Sequence, residues 1–311
     1  MAFLSSFAAY LPSGIVTNAE LADRLQCSRD WISEVSGIEE RRYAAVDESI
    51  LDMGVQAARR CLEHVQGEIG MVLVSSGSPD YQFPGPASQV AERLGLGQIP
   101  ALDIPMASAG ALFAIALASQ LTSPYGNILV VATEKMSAIA MREPLDRNTA
   151  ILFGDGAGAC LVTARPIARG GHARIVDSVL HSDGSFAGNL QLGHAGPLQM
   201  NGLSVILQAS RKIPAAIRDL LERNGRSPAE VEIFLMHQAN QKLIDRVARA
   251  LDVRSEKFYS NIRRYGNTSS ASLLIAAADW WGDSQPRSGA ALCLATFGAG
   301  FHWGAILAEV E

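Results

Sequence analysis

The sequence contains few of the residues that mark metal-bound or disulfide-stabilised proteins. Only four of its 311 residues are cysteines, Cys27, Cys61, Cys160 and Cys293, and no two of them form a CxxC pair. This scarcity argues against a zinc ribbon, a thioredoxin-type redox motif and a secreted disulfide framework. Charged residues make up 18% and hydrophobic residues 48% of the chain, which is typical of a folded globular protein.

Long apolar runs and a strong charge of one sign are also missing. The longest strongly apolar run, 109–118, is about half a membrane span, and no basic region precedes the apolar residues at the N-terminus. We therefore expect a soluble, cytoplasmic protein that does not associate with membranes. The net charge of −5 gives no general attraction to nucleic acid, so an acidic partner requires a local basic patch.

An internal repeat organises the chain. Residues 108–116 (SAGALFAIA) align without a gap on 270–278 (SASLLIAAA), at an offset of 162 (270 − 108). The same offset places the apolar run 71–74 on 233–236. Such self-similarity indicates a duplicated architecture with two related halves.

Both halves have the same order of elements, in which buried strands alternate with helices. Continuous apolar strands are expected where helices cover both faces of a sheet, so the fold class is α/β. The Ala-rich segments 109–119 and 271–281 are apolar on nearly all sides, which indicates helices buried between layers. We predict a five-layered αβαβα fold with halves at 1–165 and 166–311, and an inserted loop at 134–148.

Ser108 follows the strand-like segment 99–104 and opens the first Ala-rich helix. A side chain at this turn faces the positive end of a helix dipole and lies beside N–H groups that can hold an oxyanion, which suits a nucleophile. Serine is also among the commonest helix N-caps, and position alone favours that role by roughly three to one.

Two further polar residues lie at the ends of elements in the second half. His237 ends a buried strand and can act as a general base or hydrogen-bond donor, although a lone core histidine is more often structural. Asn267 lies in a Gly-Asn turn, and most such pairs are only turns. The repeat pairs Ser108 with Ser270, so two-fold packing brings all three turns together, with the Gly-rich segment 297–301 beside them. A nucleophile, a base and backbone donors at one place indicate acyl transfer.

Several ordered motifs carry a resemblance to a known family. They are 10–21 (YLPSGIVTNAEL), 37–42 (GIEERR), 153–158 (FGDGAG), 237–240 (HQAN), 266–269 (GNTS) and 297–301 (FGAGF). In these motifs the sequence resembles the β-ketoacyl-acyl carrier protein synthase III family of the thiolase superfamily, over nearly the whole chain. The resemblance implies the thiolase fold and acyl transfer from a coenzyme A or acyl carrier protein thioester, in fatty acid or polyketide biosynthesis. It implies no metal and no cofactor beyond the pantetheine thioester itself.

The resemblance also assigns roles to residues. His237 and Asn267 take the catalytic His and Asn positions, Ser108 takes the position of the nucleophilic cysteine, and the N–H groups of Ser108 and Ala299 form the oxyanion hole. Contacts with the pantetheine thioester are implied at Trp31, Arg147 and Phe297.

A serine at the nucleophile position changes the chemistry. A cysteine at a helix N-terminus is partly thiolate, whereas a serine hydroxyl does not ionise there and needs His237 as a general base. Three interpretations stay open: a natural serine acyltransferase or starter-unit synthase, a cysteine mutated to trap a complex, and a weakened or non-catalytic scaffold subunit.

Other departures from the family pattern bear on the substrate. Val35 stands where members often have an arginine that helps hold coenzyme A, and Leu207 stands where a lysine is expected. Ala111 replaces a frequent aromatic residue, which predicts more room for an acyl chain.

Basic residues and one loop point to partners. A basic stripe follows His237 at helical spacing, and such a stripe is usually a solvated face, at roughly two to one. Because relatives dock an acidic carrier, we rate docking here as about even. The predicted docking residues are Arg211, Lys212, Lys242, Arg246 and Arg249.

Segment 80–84 resembles a loop that relatives insert into the neighbouring subunit, so we expect a homodimer.

Overall fold

A computed structural model describes residues 1–65, 67–167, 171–194, 196–284 and 286–311. The strands are β1 (Ala2–Tyr10), β2 (Gly14–Thr17), β3 (Glu40–Tyr43), β4 (Ile69–Ser75), β5 (Ala101–Ile104), β6 (Asn127–Lys135), β7 (Asp155–Thr163), β8 (Ala173–Ser182), β9 (Leu190–Gln191), β10 (Gln199–Met200), β11 (Val231–Met236), β12 (Phe258–Tyr259), β13 (Ala291–Gly298) and β14 (His302–Val310). The helices are α1 (Asn18–Leu25), α2 (Arg29–Ser36), α3 (Ile50–Leu62), α4 (Ala87–Arg93), α5 (Gly110–Tyr125), α6 (Ser137–Ala140), α7 (Arg147–Ala150), α8 (Gly202–Arg223), α9 (Gln241–Leu251), α10 (Ile262–Tyr265) and α11 (Ala271–Ser284). Short 3-10 helices cover Gly184–Asn189, Pro228–Glu230 and Ser255–Lys257.

A mixed sheet of ten strands forms the framework, in the order β12-β11-β13-β14-β8-β1-β7-β6-β4-β5. The pairing is symmetric about the contact between β1 and β8. Outward from that contact, each side has two antiparallel pairings followed by two parallel ones. This symmetry agrees with the repeat in the sequence and confirms the α/β thiolase-type fold. The predicted division at 165/166 falls between β7 and β8 and stays a prediction.

Two central helices, α5 and α11, lie between the two sides of the sheet. They contact each other, and each contacts strands of both sides. Outside them, α3 covers the first side and α8 the second, which gives the predicted layers. Both central helices are longer than predicted, because the apolar pattern marks only their buried turns and the helices continue into partly exposed ones. Within the described ranges, no helix is long and apolar enough to cross a bilayer.

The predicted inserted loop at 134–148 begins too early. Strand β6 continues through Glu134, whose side chain is fully buried. The carboxylate accepts hydrogen bonds from the Gly77 amide at 3.0 Å and from the hydroxyls of Ser78 and Ser270, both at 2.6 Å. These donors offset the desolvation of the carboxylate, so a charged residue can end a buried strand.

The correspondence between the halves also shifts at the central helices. Helix α5 begins at Gly110 and α11 at Ala271, an offset of 161 (271 − 110). Ser108 therefore corresponds to Ser269, and the predicted pairing with Ser270 is wrong by one residue. Both Ser108 (φ 64°) and Ser269 (φ 47°) have the left-handed backbone conformation, which is uncommon for residues other than glycine.

Candidate active site

A cavity of about 140 Å³ lies where the two central helices begin, and its lining is mostly apolar. Ser108, His237 and Asn267 all line it, together with Phe297 and Ala299. The predicted convergence of the three turns is therefore confirmed. Their roles in a reaction are a separate question, which depends on the geometry at each residue.

Ser108 lies just before α5 and does not cap it. The N-cap position is Ala109, and no side chain makes a capping hydrogen bond there. The capping interpretation is therefore wrong. The left-handed conformation of Ser108 costs on the order of 1–3 kcal/mol, and its carbonyl is held by the Thr296 hydroxyl at 3.0 Å. The surrounding structure thus holds the Ser108 side chain in a strained turn at the cavity.

The N–H of Ser108, predicted as an oxyanion donor, already has a partner. It donates to the hydroxyl oxygen of Ser269 at 3.0 Å, and the Ser269 N–H donates to Asn267 Oδ1 at 2.9 Å. Ser269 also lines the cavity. Sequence reasoning missed this residue, although it stands in the GNTS motif. An acyl oxygen that uses the Ser108 N–H must displace this hydroxyl.

His237 follows β11 directly, and its N–H donates to the Ala295 carbonyl of the neighbouring strand at 3.0 Å. Its Nδ1 lies 2.6 Å from Ser272 Oγ. Burial lowers the pKa of His237 to about 4, and a hydrogen bond with the Ser269 backbone partly opposes this. The ring is therefore neutral at pH 7. Within the described part of the chain no carboxylate hydrogen-bonds to it, so an imidazolium formed here lacks ionic support.

Asn267 is fixed through its backbone. Its N–H donates to the Leu152 carbonyl at 2.9 Å, and its carbonyl accepts from the Gly154 N–H at 3.0 Å. The approach requires glycine, because a Cβ on Gly154 would lie 2.4 Å from the Tyr265 carbonyl oxygen. The Gly-rich segment 153–158 thus anchors the asparagine turn.

The end of β13 lies against the turn that carries Ser108, as predicted. A Cβ on Gly298 would lie 2.3 Å from the Ala107 carbonyl oxygen and 2.6 Å from the Ala109 nitrogen. The next residue, Ala299, lines the cavity, and its N–H makes no hydrogen bond within the described residues. This N–H is therefore available to an oxyanion.

Other residues with predicted substrate roles lie apart from this cavity. Trp31 on α2 and Arg147 on α7 stack on each other, with the guanidinium 5.5 Å from the ring centroid, and neither lines the cavity. Ala111 is fully buried in the core between the two sides of the ten-stranded sheet and also does not line the cavity. The expectation that Ala111 widens the acyl site is therefore wrong.

An apolar wall covers the cavity on the side of the second half. Its residues come from the segment between β8 and α8 and from the start of α8, and the sequence patterns indicate no role for them. It consists of Leu190, Leu192, Leu198, Met200, Val205 and Ile206. This wall makes the site suitable for an apolar chain.

The predicted docking residues separate into two groups. Lys242, Arg246 and Arg249 are exposed on α9, and Arg211 is exposed on α8. Lys212, in contrast, is paired with Asp183 at 3.0 Å, and its side chain is only 21% exposed. Lys212 therefore differs from the other four predicted docking residues, because its ammonium group is paired within the protein, and its docking role stays a prediction.

Comparison with known proteins decides the family. The protein-family model for 3-oxoacyl-[acyl-carrier-protein] synthase III matches residues 102–184, and the family model for its C-terminal part matches residues 221–310. A β-ketoacyl-[acyl-carrier-protein] synthase III of Nitratidesulfovibrio vulgaris is 36% identical over 98% of this chain and 97% of its own. The chain belongs to the synthase III family. Members of this family are acyl-transferring condensing enzymes, and this chain is one of them.

Solved synthase III structures agree with this assignment. The 3-oxoacyl-[acyl-carrier-protein] synthase III from Aquifex aeolicus has a TM-score of 0.93 and 31% identity, over 99% of this chain and 100% of its own. A priming β-ketosynthase of the R1128 polyketide biosynthetic pathway has a TM-score of 0.91 and 30% identity, over 99% and 96% of the two chains. Both likenesses extend over essentially the whole synthase III fold.

Proposed function

We propose that this synthase III enzyme transfers an acyl group from a coenzyme A or acyl carrier protein thioester through Ser108. The observation that carries the proposal is the Ser108 turn. It stands at the N-terminus of α5, in a strained conformation, with its hydroxyl unused by the helix and His237 and Asn267 on the same cavity. A strained turn that presents an uncommitted nucleophile is typical of a catalytic site.

Acylation follows from these groups. The Ser108 oxygen attacks the thioester carbonyl, its proton passes to His237, and the Ala299 N–H stabilises the oxyanion. The carbon–sulfur bond then breaks, the thiol leaves with the proton, and an oxoester remains on Ser108. A histidine with a pKa of about 4 is a weak base, so we expect slow acylation.

Condensation would use the same site. His237 and Asn267 hydrogen-bond to the thioester carbonyl of a malonyl unit as carbon dioxide leaves, and the carbanion attacks the Ser108 oxoester. The carbon–oxygen bond to Ser108 breaks, and the released serine oxygen takes up a proton from solvent, which replaces the one that left with the thiol. Because an oxoester is less reactive than a thioester, this step is slower than in a cysteine enzyme, and transfer to another acceptor competes with it.

Intact-mass spectrometry after incubation with a panel of acyl thioesters tests the proposal. We expect a covalent adduct that resists neutral hydroxylamine, that disappears in Ser108→Ala and that forms more slowly in His237→Ala. An adduct that persists in Ser108→Ala would place the chemistry elsewhere. If only Ser108→Cys is acylated and condenses, the serine is a trapping substitution or a weakened nucleophile. If neither protein is acylated, acyl transfer through position 108 is refuted.

Donor recognition is proposed at two surfaces. The exposed cations Lys242, Arg246 and Arg249 on α9, with Arg211 on α8, form a docking surface for an acidic carrier protein. Trp31 and Arg147 contact the end of a pantetheine donor that lies outside the cavity. Phe297 contacts the end of the donor that lies inside it.

We also propose a cytoplasmic homodimer. Segment 80–84 exposes Tyr81 and Phe83 by 69% and 84%, and large apolar side chains on a protruding loop are typical of an interface. Sedimentation at micromolar concentration tests this assembly. A monomer would contradict it.

A further inference from the structure

The ammonium group of Lys212, on α8, contacts three side chains of the second half of the protein. Its ammonium nitrogen lies 3.0 Å from Asp183 Oδ2 and 4.1 Å from the ring centroid of Trp303. It also lies 5.6 Å from the centroid of Phe186. An ammonium group between a carboxylate and two aromatic faces is stabilised by both, and it can adopt few other positions.

Asp183 connects this lysine to the turn that carries Ala299. The Asp183 N–H donates to the Phe301 carbonyl at 2.8 Å, and the Phe301 N–H donates to the Asp183 carbonyl at 3.1 Å. Phe301 is the last residue of the turn between β13 and β14, two residues beyond Ala299. The Asp183 backbone therefore fixes one end of that turn.

Aromatic packing also fixes the turn between β13 and β14. Phe301 is fully buried, with its ring 4.8 Å from that of Phe297 and 5.6 Å from that of Phe186. Phe297 lies near the end of β13, just before the turn, and lines the cavity. Phe186, one of the two rings beside the Lys212 ammonium group, is thus stacked on Phe301, the last residue of the turn.

We propose that Lys212 and Asp183 are positioning residues for the oxyanion turn. The proposal rests on the proposed role of the Ala299 N–H as an oxyanion donor. Without the ammonium group, the Asp183 carboxylate would keep only the N–H and hydroxyl of Ser185 as partners, at 3.2 and 2.5 Å, and the rings of Phe186 and Trp303 would lose the cation that lies over them. The turn would then relax, and a catalytic group displaced by about 1 Å can lose on the order of 10²-fold in rate.

Single-turnover acylation by a small pantetheine thioester tests this role. Lys212→Met keeps the apolar stem and removes the charge, and Lys212→Arg keeps the charge. We expect Lys212→Met to lower the acylation rate constant at saturation at least tenfold while the concentration for half-saturation stays unchanged. Lys212→Arg should recover most of the rate. Addition of Asp183→Asn to Lys212→Met should cause little further loss, because both act through one pair.

The chain offers a matched control on the same helix and on the strand that precedes Asp183. Arg223 of α8 pairs with Asp177 of β8 at 2.6 Å, but this pair does not contact the turn. Arg223→Met should leave acylation unchanged. Equal loss of rate in Arg223→Met and Lys212→Met, or normal acylation of Lys212→Met, would overturn the proposal.

The same variants in a Ser108→Cys background separate this proposal from the identity of the nucleophile. If the serine enzyme forms no adduct, the proposed function fails, and the cysteine background still reports on the turn. Loss of rate in Lys212→Met there supports the positioning role. An unchanged rate contradicts it.

Discussion

Gly298 lies close against the turn that carries Ser108, and this contact sets up a sharp test. In Gly298→Ala the added methyl group would lie 2.3 Å from the Ala107 carbonyl oxygen and 2.6 Å from the Ala109 nitrogen. Both are backbone atoms, so no flexible side chain can move aside. The turn with Ala299 and the turn with Ser108 must therefore move apart.

The size of the effect follows from these distances. Carbon atoms in contact are ordinarily about 3.5–4.0 Å from their neighbours, so the two turns must separate by about 1 Å. A displacement of that size between a nucleophile and an oxyanion donor costs on the order of 10²-fold in rate. Overpacking also costs about 1–3 kcal/mol in the free energy of unfolding. We therefore expect a folded, less stable protein with a strongly reduced acylation rate.

Gly282→Ala is the matched control, because a methyl group there meets nothing within 4 Å. It lies in α11, where alanine favours the helix by about 1 kcal/mol. The adduct is followed by intact mass at a saturating acyl thioester, and stability by urea denaturation. If Gly298→Ala forms its adduct within threefold of the wild-type rate, the two turns do not act as one site, and the oxyanion assignment to Ala299 is refuted.

Three further outcomes are expected. Because the pKa of His237 is about 4 when folded and about 6.5 when unfolded, the free energy of unfolding falls by up to about 3 kcal/mol as the pH drops from 6.5 to 4. Urea denaturation should show a smaller fall in His237→Gln, and an equal fall would contradict the assignment. Charge reversal at Lys242, Arg246 and Arg249 should weaken transfer from carrier-protein donors and its salt dependence, but not transfer from small pantetheine thioesters. Equal loss with both donors would indicate a folding defect. Ser269→Ala should accelerate acylation about fivefold in stopped-flow measurements, because a hydroxyl worth about 1 kcal/mol no longer competes for the Ser108 N–H. Slower acylation would show that the hydroxyl belongs to the oxyanion hole.

The sequence predicts the framework because apolar runs and the repeat report burial directly. The two central helices and the convergence of Ser108, His237 and Asn267 follow from those patterns. The repeat aligned Ser108 with Ser270 rather than Ser269, because serine occupies both positions and sequence similarity alone does not choose between them. The backbone conformation does, since only Ser269 shares the left-handed geometry.

Residues whose role depends on partners that are distant in the sequence were not predictable from the sequence. Glu134 looks like a loop residue until Gly77 and Ser270, from two other segments, surround its carboxylate. Lys212 looks like a surface cation until Asp183 and Trp303 are placed beside it. In both cases a charged side chain is surrounded by partners more than 25 positions away in the sequence.

The buried carboxylate of Glu134 also distinguishes the two equivalent turns. Ser108 and Ser269 share a left-handed conformation before a central helix. At the second helix, Glu134 accepts the Ser270 N–H at 3.2 Å and its hydroxyl at 2.6 Å, so a negative side chain already compensates that helix N-terminus. The first helix has no acidic residue in its first turn and no side-chain cap. Its positive end is therefore left for a charge that develops during the reaction.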